Sequence, residues 1–102
     1  MDDTTEALLA QLAVCIERGK VDVHSPYPPE LKGQDGATEL TAKALAGECT
    51  PQEVLKGGLM AGMSRVGDRF EKGEAFIPDL LIAARAMTAA MALLKPYFDR
   101  GD

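Results

Sequence analysis

The sequence predicts an all-α fold, one four-helix bundle. Apolar residues recur at helical spacing in four separate segments, turn residues punctuate those segments, and no strand signal competes with them. A chain of 102 residues, 46% apolar, has enough material for one core and too little for two, so residues 1–102 are expected to form a single domain.

In the first segment Leu8, Leu12 and Cys15/Ile16 share a helical face. A helix is therefore expected from about Thr4 or Thr5, either of which could cap it, to Arg18, with Gly19 as the stop. A connection over 19–36 follows. Pro26, Pro28, Pro29 and Gly33 bar helix and central strand alike, and its length exceeds the roughly 2–8 residues usual between bundle helices. A short second helix is expected over Ala37–Ala46, with Asp35 as possible cap, Leu40, Ala44 and Leu45 facing inward, and Gly47 ending it.

The third helix has the clearest start in the chain. Thr50, Pro51 and Glu53 form a capping box with proline at the first helical position. Its apolar stripe is Leu55, Leu59, Met63, Val66 and Phe70, and it stops near Glu71 to Gly73. The fourth helix is expected from Pro78 to Phe98. Its stripe of Leu80, Ala84, Met87 and Met91 should meet Leu59, Met63, Val66 and Phe70, and Pro96 should kink or end it.

Charge and composition exclude several functions. A formal net charge of −5 repels phosphate backbones, so nucleic acid is not an expected partner. No window approaches a run of about 18 apolar residues, and the N-terminus is acidic where a secretion signal is basic, so a membrane is not expected and the cytoplasm is. Cys15 and Cys49 match no metal or redox spacing and read as reduced, buried apolar residues.

His24, the single histidine, has no second ligand at suitable spacing and reads as a solvated loop residue. Asp68, Glu71 and Glu74 alternate with Arg65, Arg69 and Lys72 and read as a solvated helix face with pairs three and four residues apart. No nucleophile with a basic partner and no phosphate loop is present, so no catalysis and no metal site are expected from the chain by itself.

Two features remain informative. Gly57, Gly58, Gly62 and Gly67 in one helix cost about 1 kcal/mol each relative to alanine, which either close helix packing or room for a bulky ligand could explain. Phe76 and Ile77 sit on the turn between the two long helices, either folded back as staples or standing out as an apolar lip.

The runs Thr50-Pro51-Gln52-Glu53-Val54-Leu55, Gly58-Leu59-Met60-Ala61-Gly62-Met63, Val66-Gly67-Asp68-Arg69-Phe70, Gly73-Glu74-Ala75-Phe76-Ile77-Pro78, Ala83-Ala84-Arg85-Ala86-Met87 and Leu94-Lys95-Pro96 carry a family resemblance. Over residues 44–98 the chain resembles the helical cap of cobalamin-dependent methionine synthase and of methyltransferase corrinoid proteins. The resemblance implies a bundle over the upper, methyl-bearing face of cobalamin, with Phe76, Ala86 and Met87 facing the corrin. In related light-sensing cobalamin proteins a tryptophan and a Glu-His pair mark this region. Here Phe70 and Leu80-Leu81-Ile82 occupy it, which favours the methyltransferase branch.

In that family a separate corrinoid-binding α/β domain carries Asp-x-His-x-x-Gly, whose histidine ligates cobalt from below. Asp22-Val23-His24 resembles its start, but Tyr27 stands at the glycine position and the fragment precedes the bundle, so the match is coincidental. Cobalamin is therefore expected only together with such a domain, or with a methyltransferase subunit, as partner. The rival reading is a free-standing interaction bundle that binds no corrinoid. In the absence of a corrinoid domain, the uncovered corrin-facing side predicts a homodimer with Phe76 in its interface.

Overall fold

A computed structural model describes residues 3–99, with side chains from residue 4. Met1 and Asp2 of the acidic N-terminus lie outside the described residues. Helix α1 is Asp3–Arg18, α2 is Ala37–Ala46, and α4 is Ile77–Asp99. Helix α3 is continuous but composite: an α-helical turn Pro51–Val54, a π-helical segment Leu55–Met60, and an α-helical run Ala61–Glu71. A 3-10 turn, Pro29–Leu31, lies in the connection, and no strand occurs among the described residues.

The start of α3 is the expected capping box. Thr50 Oγ1 accepts from the Glu53 amide at 3.1 Å, and Glu53 Oε1 accepts from the Thr50 amide at 2.8 Å. The other caps differ from expectation. Thr4 and Thr5 lie inside the first turn of α1. Gly36 precedes α2, and its amide donates to Glu39 Oε1 at 2.8 Å, so Glu39 does the capping. Asp35 instead forms an ion pair with Lys43.

Two of the helical glycines account for the spacing between α1 and α3. A Cβ at Gly58 would lie 2.5 Å from Leu12 Cδ2, and one at Gly62 would lie 2.5 Å from Ile16 Cβ and 2.6 Å from the Ala13 carbonyl oxygen. Leu12 and Ile16, both fully buried, fill the space those glycines leave. Gly57 makes a looser approach, 3.2 Å from Leu9 Cδ1. The Gly57-Gly58 pair lies inside the π-helical segment, where a widened turn needs backbone freedom.

Because glycines mark the α1 contact, the buried stripes shift from those expected. Val54, Leu59 and Val66 are fully buried on α3, and Ala83, Ala86, Ala90 and Leu94 on α4. Phe70 is 42% exposed and Ala84 is exposed, so neither belongs to the seam; Met63, Met87 and Met91 pack against it only partly buried. Pro96 does not end α4. It deprives only the Ala92 carbonyl of a partner, and Ala92 is exposed, so solvent can satisfy that group and the helix continues to Asp99. By length and composition α4 is long and apolar enough to cross a membrane, contrary to expectation. Its six alanines raise the hydropathy without adding bulk, and α1, α2 and α3 pack against it.

The connection is folded onto the bundle. Lys20 is fully buried and its Nζ donates to the Ser25 carbonyl at 2.6 Å. The amides of Ala37 and Thr38 donate to the carbonyls of Lys20 and Val21 at 2.9 and 3.0 Å. Glu39 Oε2 accepts from the Val23 amide at 3.1 Å, and Arg18 pairs with Glu30 at 2.7 Å.

Candidate functional site

Helices α3 and α4 are joined by residues 72–76 and therefore run antiparallel, packed along their length. The turn between them is fixed from within. Gly73 takes a φ of +78°, a conformation suited to glycine, and the amides of Glu74 and Ala75 both donate to the Arg69 carbonyl, at 2.8 and 3.2 Å. Ala75 is buried with Val66 and Ala83 and plugs the turn.

With Ala75 turned inward, the next two side chains stand out. Phe76 is 68% exposed and Ile77 is 61% exposed, and Leu81, one turn on, is 65% exposed. The turn carries a lip, not a staple. Its position is set by Asp79, whose Oδ2 accepts from the Phe76 amide at 2.8 Å, three residues back as in a capping box. Sequence reasoning passed over Asp79, and it named Leu81 only as part of the Leu80-Leu81-Ile82 stretch, not as a lip residue. The Asp three residues after Phe76 was the available signal.

The three residues that the resemblance places at the corrin are not together on one surface. Phe76 is on the lip and Met87 is partly buried beside the core, whereas Ala86 is wholly buried in the main core. Ala86 therefore offers no surface to a ligand in this arrangement. Alanine leaves α4 close to its neighbours there, which is a packing role.

The charged run also rearranges. Arg69 pairs across to Glu17 of α1 at 3.1 Å, and no ion pair within Arg65–Glu74 joins helix neighbours among the described residues. One basic side chain thus ties the end of α3 to α1 just beneath the lip. His24 is exposed in the connection, and its amide donates to Asp22 Oδ1 at 2.9 Å. The described residues hold no group of three or more His, Cys, Asp or Glu placed to share a metal ion. Cys15 and Cys49 are both buried, and burial pushes the Cys15 thiol up to about 11.

A sequence profile described as "B12 binding domain" matches residues 34–95, more than half of the chain. The chain belongs to the B12 binding domain family. Within it, the chain is 42% identical over 64 residues to a trimethylamine corrinoid protein of Methanosarcina mazei, covering 63% of this chain and 30% of that protein. It is 49% identical over 55 residues to a dimethylamine corrinoid protein of Methanosarcina barkeri, covering 54% of this chain and 26% of that one. In three dimensions it resembles the monomethylamine corrinoid protein of Methanosarcina barkeri, with a TM-score of 0.71 and 28% identity over 90% of this chain and 37% of that chain. The matched part thus spans under two fifths of these longer proteins.

The residues of this B12 binding domain fit apolar contact with a large flat group. The three side chains of the lip, Phe76, Ile77 and Leu81, are exposed and uncharged.

Proposed function

We propose that this B12 binding domain is the cap module of a methyl-transfer system in the cytoplasm, covering the upper face of a corrinoid held mainly by another domain. When bound, cobalamin supplies a cobalt centre able to carry a methyl group. The chain's own contribution is exclusion: Phe76, Ile77 and Leu81 form an uncharged lid that keeps water from the covered face. Asp79 holds the Phe76 backbone, and the pair Arg69–Glu17 braces the helix end below. No acid, base or nucleophile is needed for this role, so the module is non-catalytic by itself. Its partner is a corrinoid-binding α/β domain or a methyltransferase subunit.

The observation that carries this reading is the exposed lip on a turn fixed from beneath, within a chain of the B12 binding domain family. Titration of the full chain with methylcobalamin tests it. Association is expected to be weak, because the chain offers only apolar contact, and the visible spectrum should show no protein imidazole on cobalt. A tight complex with histidine-ligated cobalt would overturn the reading and make His24 the ligand.

In the absence of a corrinoid partner, the same lip supports a second state, a homodimer in which each copy covers the other's Phe76. This second reading also accommodates the interaction-bundle alternative, and it is tested below.

A further inference from the structure

The connection between α1 and α2 does more than join them. The Ala37 and Thr38 amides bond back to the Lys20 and Val21 carbonyls, so the two helices are already linked without residues 22–35. Those residues are nonetheless folded against the bundle. Pro28 is fully buried, Arg18 pairs with Glu30, and Lys20 Nζ holds the Ser25 carbonyl at 2.6 Å. A loop longer than its join requires, and held in place, is usually a functional one.

What this loop builds is a wall. Gly19, at a φ of +79°, lies where a Cβ would collide with the Ile82 side chain, whereas a Cβ at Gly67 would meet nothing within 4 Å. The end of α1 therefore sits directly on α4. Beside that contact, Val21, Ser25, Pro26 and Tyr27 face Ile82 and Arg85 across a hollow of about 280 Å³. Small-molecule sites span roughly 300–1,000 Å³, so this one suits a single large side chain. Its lining is apolar apart from two hydroxyls and one guanidinium, and the Ser25 hydroxyl already donates to Asp22 Oδ1 at 3.2 Å.

The guanidinium is the informative group. Arg85 is exposed and enters none of the ion pairs among the described residues. Leu81, Ile82, Thr88 and Ala89, its helix neighbours three and four residues away, are uncharged, and so is every other residue lining the hollow. The adjoining hollow, which shares Tyr27 and Ile82, is different, because its Arg69 is paired with Glu17 and its Arg18 with Glu30. One unmet positive charge thus stands at an apolar hollow, in a chain of net charge −5. Tyrosine and arginine are the residues that most often anchor a protein contact, and Tyr27 is 46% exposed here.

We propose that the connection and α4 form a docking site for a segment of a partner protein. That segment places a leucine, isoleucine or phenylalanine side chain in the hollow and an adjacent aspartate or glutamate on Arg85. The carboxylate complements the one unmet charge, through the paired hydrogen bonds that a guanidinium makes with it. The site lies on the α1 side of α4 and takes nothing from the lip, so it stands or falls apart from the cap reading.

A display library of random short peptides, selected on the full chain, tests it. Enriched peptides are expected to share an apolar residue next to Asp or Glu, and a fluorescent copy of one gives the affinity by anisotropy. Arg85→Glu and Tyr27→Ala are each expected to weaken binding about tenfold, as loss of an anchoring residue does. Lys95→Glu makes the same change of charge farther along α4 and is expected to leave the affinity unchanged. All three side chains are exposed, so the variants should melt with the wild type and a loss of binding is not a loss of fold. No enriched peptide, enrichment without an acidic residue, or equal affinities of Arg85→Glu and Lys95→Glu would overturn the proposal. So would nitrogen-15 amide shifts centred on Phe76, rather than on Val21, Tyr27 and Ile82, when the peptide is added.

Discussion

Gly62 lies so close to α1 that a methyl group in place of its hydrogen would stand 2.5 Å from Ile16 Cβ and 2.6 Å from the carbonyl oxygen of Ala13. Both neighbours are buried, one is backbone, and neither can retreat. Gly62→Ala is therefore expected to cost about 1–3 kcal/mol despite alanine's better helix propensity. Urea denaturation of Gly62→Ala beside Gly67→Ala makes the comparison, the second being expected to gain up to about 1 kcal/mol. Equal effects of the two would mean that α1 and α3 are not in close contact.

Leu59 is fully buried, and truncating it to alanine should cost about 2–5 kcal/mol. Met91 is only partly buried, so Met91→Ala should cost less than Leu59→Ala in the same denaturation experiment. The reverse order would place the seam on the other side of α4.

Cys15 makes a pH prediction. Burial holds its thiol at about 11, above the ordinary 9.0, with the Lys20 charge working in the opposite direction. The unfolded chain gives up this proton first as pH rises. The contribution of Cys15 to stability is thus whole below pH 9 and is lost between pH 9 and 11. Stability measured across that window should fall less steeply in Cys15→Ala than in the wild type. At pH 8 the native thiol should react with a disulfide reagent far more slowly than in denaturant, and equal rates would contradict its burial.

Phe76, 68% exposed beside Ile77 and Leu81, should drive self-association when nothing else covers it. Light scattering is expected to show a dimer for the wild type and a monomer for Phe76→Asp. A wild-type monomer at high micromolar concentration, or a dimer that survives Phe76→Asp, would sink the dimer.

What the sequence revealed well was periodic or local. Thr50, Pro51 and Glu53 announce α3 because a capping box is complete within four residues, and helix limits follow from Gly47 and Gly73 in the same way. What it concealed depends on the third dimension. Phe70 continues a four-residue rhythm yet faces outward, because glycines bring α3 against α1 and turn the helix's inner line toward Gly58 and Gly62, and Ala84 faces outward because the buried line of α4 runs through Ala83, Ala86, Ala90 and Leu94. Arg69 looked like a partner for its helix neighbours but reaches Glu17, which is 52 positions away. Of the candidate site, Phe76 was visible as an apolar residue on a turn. Ala86 was not distinguishable from a surface alanine, since burial of so small a side chain leaves no mark on composition.

The bonds from Ala37 and Thr38 back to Lys20 and Val21 close the long connection at its neck. The chain leaves the bundle and re-enters it at one place, so residues 22–35 are a detour rather than a spacer. Once the neck is sewn, the distance from α1 to α2 no longer depends on how much chain lies beyond it. Lengthening such a detour costs only slowly growing loop entropy. The two helices therefore behave as if joined by a tight turn, and the exposed tip at Lys32, Gly33 and Gln34 can vary in length while Ser25, Pro28 and Glu30 keep the rest of the detour against the bundle.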